Sequence, residues 1–307
     1  MNDVVAGSRP PLERILGLGV QILIIIGLEK VYEASRGIVP RQDHVALSNG
    51  LAVVHLEKTL HIFDEWHLQR FVLGHKQWDI GPLILNRDVI VSAINHFYLY
   101  SHFIGTLLFL AWLYWFRRRQ FPFVRNLLTV TSALAMVIYI VFPMMPPRLM
   151  GQHMDVPQGW RVQDTLAPLI NYTLQQHQIG YNPYAAMPSL HFAWALVLGV
   201  TLALIGRHWL LRAVGVLYPF MMLATILISG NHLLLDAVGS VVVVTISVAI
   251  TLAIHRRFRP RAMSRPSGAS GLREPDMTGV PHDCETRPAT KVAWQTTDTE
   301  VSLRVAP

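Results

Sequence analysis

The chain has 307 residues, of which 52% are hydrophobic and only 15% are charged, and its formal net charge is +7. Because an average soluble domain carries about 25% charged residues, this composition argues against a soluble nucleic-acid-binding protein and against disorder of the whole chain. A single cysteine, Cys284, excludes an intrachain disulfide and a multi-cysteine metal site. The sequence therefore indicates a membrane protein without a nucleic-acid partner.

Six apolar runs are long enough to cross a hydrocarbon core of about 30 Å, which needs roughly 20 helical residues. In chain order they cover about residues 15–31, 94–116, 124–145, 188–205, 209–229 and 233–254. The first run ends in Glu29 and Lys30 without a small-residue cleavage site, so we interpret it as a helix and not as a signal peptide. We predict an all-α fold, a polytopic membrane protein built as a six-transmembrane-helix bundle.

Arginines flank these runs at four places and predict the orientation. They are Arg9 and Arg14 before the first run, Arg117, Arg118, Arg119 and Arg125 after the second, Arg207 and Arg212 between the fourth and fifth, and Arg256, Arg257, Arg259 and Arg261 after the sixth. With six spans, all four places fall on one side, which the positive-inside rule assigns to the cytosol. We therefore expect a multi-pass protein of the plasma membrane with both termini cytosolic.

Two long connections, at about 34–91 and 146–187, then face outward. In the first, Val53, Leu56, Leu60 and Phe63 recur at helical spacing, while Glu57, Lys58, His61, Asp64 and Glu65 lie largely off that stripe. This pattern predicts an interfacial amphipathic helix over about 45–73, lying on the membrane or over the mouth of the bundle. A helix of a small soluble subdomain is the alternative.

The chain changes composition after about residue 259. Residues 260–307 are rich in Ser, Thr, Pro, Gly and Arg and contain few large apolar side chains. We predict one membrane domain over residues 1–259 and a disordered cytosolic tail over residues 260–307.

Polar residues collect at the predicted outward ends of the helices, where ionisable groups beside hydrocarbon indicate function. His232 and Asp236 are four residues apart, hence on one helix face. A carboxylate that accepts a hydrogen bond from one imidazole nitrogen leaves the other nitrogen nucleophilic. Taken alone, such a pair is more often a structural hydrogen bond.

Two further motifs lie on the same predicted side. Pro188 suits the first turn of a helix and places Ser189 and the free N–H groups of that turn where the helix dipole favours an anion. His191 in the same turn can donate a proton to a leaving oxygen, and the guanidinium of Arg148 matches phosphate oxygens. Together the motifs indicate phosphoryl transfer through a covalent phosphohistidine.

The motifs resemble those of the type 2 phosphatidic acid phosphatase superfamily. The resemblance is carried by Pro188-Ser189-Leu190-His191 followed by His232-x-x-x-Asp236. Pro146-Pro147-Arg148, the run Asn182-Pro183-Tyr184-Ala185-Ala186-Met187 and Asn231-His232 look most like its inositolphosphotransferase branch, the inositol phosphorylceramide synthase-like proteins. The resemblance implies that His232 is the nucleophile, that Asp236 orients it and that His191 protonates the leaving alkoxide. It also implies that Arg148, Ser189 and nearby backbone N–H groups hold the phosphate without a metal or other cofactor.

The chain also departs from the superfamily pattern. Val141 stands in place of a lysine and Leu149 in place of a proline in the first motif, and Leu190 in place of a glycine in the second. Thr225 and Ile226 replace a Ser-Arg pair ahead of His232. Two phosphate-binding cations are therefore missing, and Tyr184 and Asn231 are candidate substitutes.

The function predicted from these residues is a lipid phosphotransferase acting at the outer face of the membrane. It would move a phosphoryl group or an inositol-phosphate-like headgroup from a phospholipid donor to a lipid alcohol. Membrane lipids would be its other partners. Hydrolysis by water of a phosphatidic-acid- or isoprenyl-phosphate-like substrate is the alternative, because the same intermediate serves both reactions. The missing cations also allow a non-catalytic transporter or scaffold. The spacing of the 14 histidines argues against a haem or di-metal oxidoreductase. The oligomeric state and the donor and acceptor lipids stay open.

Overall fold

Apolar helices account for most of the residues that the computed structural model describes. These are residues 43–80, 83–153, 156–157, 161–167, 169 and 183–257, together with single positions between 16 and 30. The course of the predicted span at 15–31 and the predicted tail at 260–307 lie outside the described residues.

The described part of the chain forms nine α-helices, one π-helical turn and one β-hairpin. In chain order they are α1 (Asp43–Thr59), α2 (Glu65–Gly74), β1 (Gln77–Ile80), β2 (Leu83–Asn86), α3 (Arg87–Tyr100), the π-turn (Ser101–Gly105), α4 (Thr106–Phe116), α5 (Phe121–Val141), α6 (Pro147–Met150), α7 (Leu190–Ile205), α8 (Trp209–Ile228) and α9 (Leu234–Arg257). The strands pair antiparallel, with Gln77 opposite Asn86. This hairpin is a local departure from the predicted all-α fold.

Four of the described helices are long and apolar enough to cross a membrane: 87–116, 121–141, 209–228 and 234–257. Helix α7 is also apolar but has only 16 residues. Five of the six predicted runs therefore form apolar helices, whereas the count of six spans is not confirmed. The second run begins seven residues earlier than predicted, because α3, the π-turn and α4 form one continuous 30-residue helix.

Helix α7 packs closely against α8 through small residues. A Cβ atom on Gly199 would lie 2.5 Å from the carbonyl oxygen of Gly215 and 2.6 Å from Cδ of Pro219. Small residues allow such approach between helices where no hydrophobic effect drives them together. The outer surfaces remain apolar, as at Leu108, Leu204 and Phe220, which are 66%, 76% and 64% exposed. The bundle therefore presents hydrocarbon-compatible side chains outward and tight contacts inward.

The predicted interfacial helix at 45–73 is two helices and not one. The chain reverses between α1 and α2 at His61, whose φ of 58° lies in the left-handed region that costs a non-glycine residue about 1–2 kcal/mol. Helix α1 packs on the segment before α6: Asn49 donates a side-chain hydrogen bond to the carbonyl oxygen of Pro143 (2.8 Å), and the N–H of Met145 donates to the carbonyl oxygen of Ala46 (3.0 Å). The predicted apolar stripe therefore does not form one buried face, since Val53 is buried and Leu56 is exposed.

Two of the acidic residues off that stripe, Glu57 and Glu65, are buried, with exposures of 0% and 2%. Burial, followed by the charge of Glu65, raises the pKa of Glu57 from 4.5 to about 9. Burial also raises the pKa of Glu65. Glu57 therefore holds a proton at neutral pH, where an exposed glutamate would have lost it.

This protonation makes the stability of the protein dependent on pH. Between about pH 4.5 and pH 9 the folded state binds a proton at Glu57 that the unfolded chain has released, so the free energy of unfolding falls as the pH rises through this window. Glu57→Gln imitates the protonated acid and does not titrate. We expect the Tm of E57Q, relative to the unsubstituted protein, to rise progressively between pH 5 and pH 8.5, as measured by thermal unfolding in detergent.

Asp64→Asn is the matched control, because Asp64 lies beside Glu65 but its side chain is 84% exposed. Its Tm difference should change only by the small contribution of the exposed Asp64–His67 pair and should not grow progressively up to pH 8.5. Parallel pH profiles for E57Q and the unsubstituted protein would contradict a protonated Glu57.

Candidate active site

The turn between α8 and α9 carries His232 and Asp236 and is shaped by Gly230. Gly230 has a φ of +73°, and a Cβ atom there would lie 2.9 Å from the carbonyl oxygen of Gln163, so both the backbone conformation and the space favour glycine. The N–H of His232 donates to the carbonyl oxygen of Ile226 (3.2 Å), which ties the turn back to α8. His232 thus precedes α9, while Asp236 lies in its first turn.

The surroundings of His232 fix the tautomer of its ring. Nδ1 lies 2.9 Å from the carbonyl oxygen of Ala186 and 3.2 Å from Oδ2 of Asp236. Because a carbonyl oxygen only accepts hydrogen bonds, Nδ1 carries the proton, and in the neutral ring the lone pair is on Nε2. The side chains of His232 and Asp236 are 6% and 0% exposed, which shields this pair from competing water.

His191 stands in the first turn of α7, and aromatic rings cover its imidazole. Tyr98 from α3 stacks on it with the ring centroids 4.0 Å apart and the planes 11° from parallel. His102 from the π-turn lies 4.3 Å from the His191 centroid and 4.4 Å from that of Trp194. These neighbours hold the imidazole of His191 in one orientation, and π-turns are frequent at functional sites.

The imidazoles of His191 and His232 face a common space, with their centroids 6.4 Å apart. A nucleophile reacts from about 3–3.5 Å, and a proton donor acts from about 2.6–3.2 Å. At this separation both imidazoles can reach atoms of the same small group. The structure brings these two predicted residues together from positions 41 residues apart in the chain.

The turn that begins α7 is itself anchored on three sides. Tyr139 from α5 donates to the carbonyl oxygen of Pro188 (2.7 Å), and Ser240 from α9 donates to that of Ser189 (2.8 Å). The N–H of Ser189 donates to the carbonyl oxygen of Asp236 (3.3 Å). The second and third predicted motifs are thus joined by a backbone hydrogen bond.

Arg148 in α6 lies next to the turn between α8 and α9 that carries His232. Its N–H donates to the carbonyl oxygen of Gly230 (2.9 Å), its Nε to Oδ1 of Asn231 (2.9 Å) and its Nη1 to Oδ2 of Asp164 (3.1 Å). The side chains of Arg148 and Asp164 are only 10% and 11% exposed. The guanidinium is therefore oriented by an amide and neutralised by a carboxylate.

Asp164 is held in place by hydrogen bonds to the residues on either side of it. Gln69 from α2 exchanges hydrogen bonds with the backbone of Gln163 (2.7 and 2.8 Å). Asn95 from α3 does the same with the carbonyl oxygen and hydroxyl of Thr165. Sequence reasoning missed Asp164, because no spacing relates it to Arg148.

Three other predicted site residues have partners of their own. The buried Ser189 hydroxyl accepts from the N–H of Phe192 (3.4 Å) and so caps α7. The Tyr184 hydroxyl donates to Asp43 of α1 (2.6 Å). Asn231, besides accepting from Arg148, donates to the Ser229 hydroxyl (2.8 Å).

Two of the positions that depart from the family pattern, which the pattern fills with cations, are apolar in this chain. Val141 ends α5 with 77% of its side chain exposed, whereas Ile226 is fully buried in the apolar contact between α7, α8 and α9. Neither places a cation near His232. Within the described ranges, no cluster of three or more His, Cys, Asp or Glu side chains is arranged to hold a metal ion.

A family model described as PAP2 superfamily matches residues 51–250, which include all of the predicted catalytic residues. The crystal structure of Aquifex aeolicus LpxE is similar to this chain at 19% identity and a TM-score of 0.39, covering 61% of this chain and 93% of that one. A search of curated proteins finds no match.

The Arg148–Asp164 pair predicts how the site responds to an anion. The Asp164 carboxylate lies 3.1 Å from the guanidinium and opposes any second negative charge brought to it. Asp164→Asn keeps the shape and removes this charge. We expect D164N to bind orthovanadate, a phosphate analogue, about tenfold more tightly by titration calorimetry.

Arg148→Ala supplies the comparison, since it removes the cation and should weaken vanadate binding below that of the unsubstituted protein. Equal affinity of D164N and the unsubstituted protein would show that the Asp164 charge does not act on the anion.

Proposed function

Because the chain belongs to the PAP2 superfamily, we propose that it is a membrane-embedded lipid phosphotransferase acting through a covalent phosphohistidine at His232. It would move a phosphoryl or an inositol-phosphate-like headgroup from a phospholipid donor to a lipid alcohol. The observation that carries this proposal is the 6.4 Å separation of the His191 and His232 rings, with Asp236 behind His232.

In the first half-reaction, Nε2 of His232 attacks phosphorus and the bond from phosphorus to the leaving oxygen breaks. His191 gives its proton to that oxygen, so the lipid leaves as a neutral alcohol. Asp236 and the Ala186 carbonyl stabilise the positive charge that develops on the His232 ring. Arg148 lies where its charge offsets that of the phosphoryl oxygens.

In the second half-reaction, a lipid hydroxyl attacks the phosphohistidine. His191, now neutral, takes the proton of that hydroxyl, the phosphorus–nitrogen bond breaks, and Nε2 of His232 regains its lone pair. Water in place of the lipid hydroxyl gives hydrolysis with the same balance of atoms. Acceptor binding and exclusion of water therefore decide between transferase and phosphatase.

The charge around Arg148 favours a donor with one negative charge. A phosphate monoester carries about −1.5 to −2 at neutral pH, whereas a phosphodiester carries about −1. The guanidinium of Arg148 is already paired with Asp164, and the family's other cation positions are Val141 and Ile226. A phosphodiester phospholipid therefore suits this site better than phosphatidic acid.

The arrangement of the arginines supports an outward-facing site with cytosolic termini. Arg117 after α4 donates to the carbonyl oxygen of Ile205 at the end of α7, and Phe123 contacts His255 near the end of α9. The arginine-rich ends of these helices thus lie together, and the candidate site lies at the opposite ends of α5, α7 and α9. By the positive-inside rule, the site faces away from the cytosol in the plasma membrane.

Removing either imidazole should abolish turnover. We expect His232→Ala and His191→Ala to reduce headgroup release from fluorescent phosphatidylinositol or phosphatidic acid by at least about 1,000-fold in purified protein. With headgroup-labelled donor, H232A should form no acid-labile, base-stable phosphoenzyme. His96→Ala is the matched control, because His96 is exposed and bonds within α3. Retention of activity in both site variants would remove the basis of the assignment.

Transfer and hydrolysis are separated by adding an acceptor. With labelled phosphatidylinositol as donor, addition of ceramide should convert most of the released headgroup into a new lipid product, resolved by thin-layer chromatography. Phosphatidic acid should be the poorer donor. Release of free headgroup alone, with phosphatidic acid preferred, would instead identify the protein as a lipid phosphate phosphatase.

A further inference from the structure

The first turn of α9 is bound by three carboxyl groups in succession. The N–H of Leu233 donates to Asp236 (2.9 Å), that of Leu234 to Glu65 (2.7 Å) and that of Leu235 to Glu57 (2.7 Å). The first N–H groups of a helix have no partner inside it and attract negative charge. Two of the three acceptors come from outside the helix, from α2 and α1.

This arrangement costs more free energy than a simple helix cap would. A serine or asparagine side chain would satisfy one such N–H at the surface or in the interior, whereas burying a carboxyl group requires compensation by hydrogen bonds. Here the carboxyl groups of both glutamates are almost fully buried. The left-handed conformation of His61 adds backbone strain where the chain reverses to bring α2 beside α1.

The two N–H groups held by the glutamates lie between His232 and Asp236 in the chain. A shift of this turn would move the His232 ring relative to both Asp236 and His191, and a misplacement of about 1 Å can reduce a rate 100-fold. Gln69 of α2 also donates to the carbonyl oxygen of Ile228 (2.8 Å), at the end of α8. Among the described residues of α1 and α2, only the two glutamates bond to N–H groups between His232 and Asp236. The glutamates therefore link the outward connection to the reacting histidine.

We propose that Glu57 and Glu65 are positioning residues for phosphoryl transfer, which hold the His232–Asp236 turn in register with His191 through the N–H groups of Leu234 and Leu235. The inference rests on the proposed function. It assigns a role in the reaction to the connection before the bundle, in addition to the helices that carry the histidines.

The test separates the hydrogen-bond acceptor from the volume of the side chain. Glu57→Met and Glu65→Met keep the length and remove the acceptor, whereas Glu57→Gln and Glu65→Gln keep an acceptor oxygen. We expect the methionine variants to lose about 10- to 100-fold in kcat with KM changed by less than about twofold. The glutamine variants should recover at least about one third of kcat, measured with fluorescent phosphatidylinositol.

Two further measurements distinguish positioning from a purely structural role. Asp64→Met removes an exposed carboxylate beside Glu65 and should leave kcat unchanged. In an Asp236→Asn background, E57M should cost much less than it does alone, because both changes act on His232. A structural role would instead lower Tm and leave the effects on kcat additive.

The outcomes also separate this inference from the proposed function. If the unsubstituted protein turns over neither lipid, the proposed function fails. If it is active and folded E57M and E65M have unchanged kcat, the positioning role is overturned. If the methionine variants do not fold, Glu57→Asp withdraws the oxygen by one methylene, and it should lower kcat with KM unchanged. An unchanged kcat in E57D equally overturns the role.

Discussion

The candidate site depends on the hydrogen bonds at Nδ1 of His232. This nitrogen is shared between the Asp236 carboxylate and the Ala186 carbonyl, so one atom joins the first turn of α9 to the segment that leads into α7. The same contact that sets the tautomer therefore sets the distance between the two histidines. Both partners of Nδ1 are buried. The loss of either one leaves a buried polar group without a hydrogen-bond partner, which costs about 1–3 kcal/mol. The chemistry and the local fold are thus fixed by one interaction.

The position of the site at the end of the bundle follows from the solvation of polar groups. Within hydrocarbon each backbone N–H and C=O must be satisfied by the chain itself, which leaves few groups available to a substrate. At the helix ends the N–H groups of new turns become available, and the irregular segments between helices can approach them. Arg148 in α6 reaches the turn before α9 for this reason, and Asp164 in the following connection reaches Arg148.

The sequence predicted which side chains meet at the candidate site better than it predicted their environment. His191, His232, Asp236 and Arg148 could be identified because motif spacing reports which side chains share a turn. The helical runs were predicted from hydropathy. The early start of α3 was not predicted, because Arg87 and Asp88 interrupt the apolar pattern. Asp164, Glu57 and Glu65 were missed because their partners are far away in the chain and no periodicity encodes such contacts. His102 faces His191 only because the π-turn shifts its direction within the helix, and hydropathy carries no signal for that shift.

These missed residues have a common property. Helix α7 provides one imidazole and the turn before α9 provides the other, whereas the connections provide further carboxyl groups: Asp164 against the guanidinium, and Glu57 and Glu65 against the start of α9. A site built from the helices alone would combine a guanidinium with open helix N-termini and would favour strongly charged phosphate. Asp164 places a carboxylate beside the guanidinium, and the two glutamates occupy N–H groups at the start of α9, so fewer positive features remain for an anion. The connections therefore tune the charge that the site accepts, while the bundle fixes where the phosphorus must lie.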